Sequence, residues 1–148
     1  MRPIKFRAWD VCGKKMLPVT KINWLSHAVW TDPQSCHGDI PMCLGCCILM
    51  QYTGLKDKNG KEIYEGDIVN ITIRENIGTF NVPDDIIANG GYTGRDDVFE
   101  GEVIFQDFGF GVNDKENGVI FLQPMEDTFF EVIGNIYENP ELLNTKEK

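Results

Sequence analysis

The chain has 148 residues, 42% of them hydrophobic and 25% charged, and its 14 Lys plus Arg against 23 Asp plus Glu give a net charge of −9. That composition suits one soluble domain, or one domain with a small appendage, long enough to bury a core without help from a disulfide or metal. No apolar run approaches the ~20 residues of a membrane span, the opening lacks an apolar secretion stretch, and the five cysteines are an odd number. These features point to a cytoplasmic protein with reduced thiols and no membrane association.

The acidic total hides a gradient. Residues 1–30 carry Arg2, Lys5, Arg7, Lys14, Lys15 and Lys21 against Asp10 alone, giving +5, whereas residues 96–148 carry 13 acidic and three basic residues, giving −10. A net negative surface repels phosphate backbones, so nucleic-acid binding by the whole surface is disfavoured and only a local N-terminal basic patch stays open. Contact between the two ends, within one chain or between subunits, is the simpler use of the gradient.

In chain order, Ile4-Lys5-Phe6-Arg7-Ala8-Trp9 alternates apolar and basic positions, which predicts a strand with Ile4, Phe6 and Ala8 inward and Lys5, Arg7 and Trp9 outward. A turn through Cys12-Gly13 leads to a second strand over residues 16–25, which Pro18 should confine to a sheet edge. Periodicity collapses over residues 26–45, which read as a long loop. Pattern returns at Cys47, where the main domain is expected to begin, and Lys58-Asn59-Gly60-Lys61 predicts a tight two-residue hairpin. Glu65-Gly66-Asp67 is a further turn, and Val69-Asn70-Ile71-Thr72-Ile73 alternates as a half-buried strand does. Residues 76–97 read as an insertion. Strands are then predicted over residues 98–106, 118–123 and 129–136, with Gly109-Phe110-Gly111 as a separating turn. Asn139-Pro140 has the form of a helix N-cap followed by proline at the first helical position.

These elements predict a mainly β protein: an N-terminal β segment with a Cys/His loop over residues 1–46, a small barrel or roll over residues 47–148, and a short C-terminal helix. The stretch YTGLKDKNGKEIYEGDIV at residues 52–69 resembles the signature of the YopX-like family, proteins encoded mainly in bacteriophages and prophages. MRPIKFRAWD at residues 1–10 and EVIGNIYENPELL at residues 131–143 resemble that family's usual opening and close. The resemblance implies a mostly β protein whose C-terminal part is similar to an SH3-like barrel, and it implies no assigned reaction and no catalytic residues. Residues 35–47 depart from the family pattern, because a cysteine cluster is not among its hallmarks.

Within the signature, Gly66 suits a turn closed to other residues and Asp67 can accept backbone N–H bonds. Tyr52, Gly54, Asn59, Gly60, Gly66 and Asp67 are therefore read as specifying the fold rather than as catalytic. The most chemically suggestive cluster is Cys36, His37, Cys43 and Cys46, because Cys43-Leu44-Gly45-Cys46 is a C-x-x-C knuckle able to give two thiolates to a structural zinc. Inert thiols are the competing reading, with no cofactor at all. Phe108 and Phe110, in a glycine-rich turn, are candidates for surface contact, whereas alternation with Val103 places Phe105 in the core. Trp9, Trp24 and Trp30 would leave much apolar area exposed unless another surface covers it.

The expected function is non-enzymatic: an accessory module that self-associates and binds an unknown protein partner through Arg2, Lys5, Arg7, Trp9, Phe108 and Phe110. A nucleic-acid-associated protein using the basic, Trp-rich N-terminus is the first alternative. A metal-dependent enzyme built on the Cys/His cluster is the second.

Overall fold

Alternating apolar positions and frequent Gly, Asn and Asp turns give a chain that is almost wholly extended. The computed structural model describes residues 3–32, 40–74, 96–106, 109–115, 118–122 and 128–144. The chain is mainly β, with two antiparallel sheets. The first contains β1 (Phe6–Asp10), β2 (Lys15–Asn23), β3 (Ala28–Thr31), β4 (Met42–Cys43), β5 (Cys47–Lys56) and β6 (Glu62–Tyr64), in the order β4-β3-β2-β1-β5-β6. The second contains β7 (Asp67–Arg74), β8 (Asp96–Gln106), β9 (Gly109–Asp114), β10 (Gly118–Phe121) and β11 (Thr128–Asn135), in the order β10-β9-β8-β7-β11. Neither sheet is closed among the described residues. A 3₁₀ turn at Pro140–Asn144 follows β11 where a short C-terminal helix was expected.

Several local expectations are corrected. The first sheet takes strands from both sides of residue 46, because β1 pairs with β5 from Phe6↔Gln51 to Asp10↔Cys47. The segment read as a loop over residues 26–45 holds β3 and β4, and Ala28-Val29-Trp30-Thr31 was the β-forming signal there. Pro18 lies in a strand flanked on both sides rather than at an edge. It is tolerated because its carbonyl, which accepts Asp32 N–H at 3.3 Å, faces the end of β3, so the missing N–H would point where that strand has run out. The expected 76–97 insertion lies outside the described residues except for its last two, which open β8.

Each sheet has its own core. Ala8, Leu17, Val29, Met42 and Cys47 pack together in the first. Val69, Ile71, Val103, Phe110, Val112, Leu122 and Phe130 pack in the second, and Ile63 of β6 reaches into this second cluster. Gly101 lets β8 and β9 approach closely, since a Cβ there would come within 2.3 Å of the Asn113 carbonyl oxygen.

The Gly-Phe-Gly segment opens β9 instead of forming a turn, and this reverses the two phenylalanines: Phe110 is 7% exposed in the core and Phe105 is 55% exposed. They are cross-strand partners in an edge-to-face contact with centroids 5.1 Å apart, and only one of them reaches the inside.

Candidate functional site

The segment from Asp57 to Asp67 joins the two sheets. The connection from β5 to β6 is a three-residue type, not the two-residue turn expected: Gly60 N–H donates to Asp57 O at 2.9 Å, and Gly60 takes φ 83° while Asn59 stays out of the left-handed region. Asp57 organises this turn, accepting the N–H groups of Asn59 and Lys61 at 2.8 Å each and that of Val132 in β11 at 3.3 Å. Lys58 N–H donates to Phe130 O at 2.8 Å, so the hairpin tip also covers the free edge of β11. Burial pushes the Asp57 carboxyl up, but the bonds from Lys61, Val132 and Asn59 outweigh it and hold the group below its ordinary value.

The next turn places Gly66 at φ 72°, and Gly54 of the same segment also lies at positive φ. Asp67 is 1% exposed, accepts Tyr64 N–H at 2.8 Å and pairs with the Arg7 guanidinium at 2.6 Å. Arg7 also lies 4.7 Å above the Tyr64 ring. Arg7, expected outward, is thus turned between the sheets, because a buried carboxylate there needs a cation.

Trp9, also expected outward, is 7% exposed and stacks on Tyr137 with centroids 5.8 Å apart. Alternation failed here because both faces of the C-terminal half of β1 are covered: Ala8, Trp9 and Asp10 are all buried. Conversely Ile4, expected inward, is 77% exposed.

Beside this junction lies a groove of about 530 Å³, lined by residues 4–6, residues 18–22, Trp24, Glu62 and Tyr64. One wall is polar: Lys5 pairs with Glu62, whose carboxylate also accepts the Tyr64 hydroxyl at 2.8 Å. The Lys5 and Tyr64 hydrogen bonds hold Glu62 below the usual carboxylate range, and the Glu62 bond raises Lys5. Burial, with the hydrogen bond to Glu62 and its negative charge, pushes Tyr64 up to about 12. The raised value means that the neutral phenol adds stability below the unfolded pKa near 10, and that this is lost as pH rises towards 12. Spectrophotometric titration should therefore show Tyr64 and the burial-raised Tyr137 ionising late, and Glu62→Gln should bring Tyr64 alone back towards the ordinary range; an unchanged curve would contradict the contact.

The opposite wall adds Pro18, Val19, Ile22 and Trp24 beside Thr20 and Lys21. Asn23 Oδ1 accepts the N–H groups of Leu25 at 3.0 Å and Ser26 at 3.1 Å, which fixes the turn between β2 and β3. That turn holds Trp24 62% exposed and Leu25 98% exposed. Lys21 Nζ sits 4.7 Å over the Trp30 ring, which gives Trp30 a local cover. Trp24 stood out in the sequence as exposed apolar area needing a cover, but Leu25 merely ended a strand there; the Asx-type turn at Asn23 was the available signal.

Of the residues expected to bind a partner, only Lys5 lines the groove; Arg7 and Trp9 are turned inward, Phe110 is in the second core, and Arg2 and Phe108 lie outside the described residues. Cys36 and His37 also lie outside them. Cys43 and Cys46 form a disulfide, where reduced thiols were expected. Cys12 is an exposed thiol and Cys47 a buried one.

Comparison with known proteins finds a family profile, described as YopX protein, that matches residues 5–144. The crystal structure of protein EF1440 from Enterococcus faecalis is similar with a TM-score of 0.57 and 31% identity, covering 97% of this chain and 99% of that one. The crystal structure of protein yopX from Bacillus subtilis is similar with a TM-score of 0.54 and 26% identity over the same shares of the two chains. No curated protein matches the chain.

Proposed function

The chain belongs to the YopX family, and on that premise we propose that it is a non-enzymatic accessory protein, of phage or prophage origin, that binds protein and self-associates through the groove on its first sheet. The observation that carries this reading is the juxtaposition of exposed Ile4 and Trp24 with Lys5 and Lys21 around one concavity, with the 98% exposed Leu25 beside Trp24 in the same turn. Apolar side chains set among charged ones are how protein-binding surfaces combine affinity with register. Charge complementarity supports a second copy as one occupant, since residues 1–30 carry +5 and residues 96–148 carry −10. The second sheet, though not a closed SH3-like barrel, supplies that acidic half. A nucleic-acid role is less well supported, because Arg7 is committed to Asp67 and Lys5 to Glu62.

Light scattering coupled to size exclusion tests the assembly. The wild-type mass should be a multiple of 16.8 kDa, and Trp24→Ala with Leu25→Ser should reduce it towards the single-chain value. A wild-type protein that stays monomeric at high concentration would remove self-association from the reading. Binding to duplex DNA that weakens steeply with salt would favour the nucleic-acid alternative.

A further inference from the structure

Neither Cys43 nor Cys46 lines the groove, so their disulfide has no part in the docking surface. As a staple it is poorly placed. Disulfide stabilisation grows with the length of loop closed, and this bond spans a sequence separation of 3. The turn it closes is already held by backbone contacts: Leu44 N–H to His27 O at 2.9 Å, Val11 N–H to Cys46 O at 3.2 Å, and the pairing of Ala28 with Cys43. Both bonded cysteines are exposed residues, on the solvent side of this turn. The neighbouring Cys47 differs: it is 7% exposed and lies 3.7 Å from the Cys43 carbonyl oxygen, to which its thiol donates. Burial, with the charge of Asp10, pushes its thiol up, so Cys47 stays protonated and does not compete.

We propose that Cys43 and Cys46 form a reversible thiol–disulfide site that exchanges electrons with low-molecular-weight thiols. In the reducing direction a thiolate RS⁻ attacks one sulfur, the Cys43–Cys46 bond breaks, and the other sulfur leaves as a thiolate and takes a proton. A second RS⁻ attacks the mixed disulfide, releasing RSSR and the remaining cysteine thiolate, which is protonated in turn. Two electrons and two protons thus pass to the protein as two RSH become RSSR.

The test equilibrates the full-length protein, anaerobically, with graded ratios of reduced to oxidised glutathione. Acid quenching, alkylation and peptide mass spectrometry then read the state of each cysteine. The pair should pass from unlabelled to doubly labelled across mixtures containing both glutathione forms, with the same midpoint from either direction. In Cys43→Ser, the remaining Cys46 should take up one glutathione and release it to excess reduced glutathione. A pair that stays oxidised in fully reduced glutathione would overturn the proposal, as would reduced thiols that oxidised glutathione fails to rejoin.

Discussion

Arg7→Ala should destabilise the fold by about 3–5 kcal/mol, the usual cost of removing one partner from a buried ion pair. The loss falls on Asp67, which is 1% exposed and would keep its charge between the sheets with no guanidinium at 2.6 Å. Arg7 also brings its stacking over Tyr64, so its removal loosens β1 from β6 as well as from β7. Asp67→Asn should cost less, because an amide can still accept the Tyr64 N–H, and the Arg7 charge it leaves is less buried, at 14% side-chain exposure against 2% for Asp67. Urea unfolding of the two variants measures both effects. A shift below about 1 kcal/mol for Arg7→Ala would mean that water or another cation reaches Asp67.

Asp57→Ala should cost about 2–4 kcal/mol, from three backbone N–H groups left without their charged acceptor. Two of those donors lie in the hairpin turn and the third, Val132, lies in the second sheet, so the variant both frays the turn and frees the edge of β11. A pH dependence accompanies it. The folded-state pKa lies below the ordinary value of 3.8, so the contribution is complete above that value and declines as pH falls through the lower folded value. Wild type and Asp57→Ala should therefore converge in stability on acidification and differ most near neutrality. Equal separation at pH 3 and pH 7, measured by thermal unfolding, would show that the carboxylate charge contributes little.

The features legible in the sequence were those set by neighbouring residues. The alternation of Val69 to Ile73 marked β7, Gly60 marked the hairpin, and Asn139-Pro140 marked the terminal turn. Errors arose where a distant element decided the outcome. Alternation along β1 predicts one wet face, but Tyr137 covers Trp9 and Asp67 draws in Arg7, each from a strand or turn far along the chain. Phe105 and Phe110 were interchanged because the glycines around Phe110 signal a turn locally, whereas pairing with β8 keeps them extended. The candidate groove was only partly readable for the same reason: Lys5 stood out by charge, but Trp24 gains meaning only when β2 and β6 are brought to its side of the sheet.

By itself the sequence determined the β character, through the two-residue period and the turn residues, and the family, through residues 52–69 and its two ends. The tertiary structure alone decided which side chains are inside and how residues 1–46 share a sheet with β5 and β6. Strand order and burial depend on contacts between segments remote in the chain, and no local pattern encodes which remote partner will cover a given face.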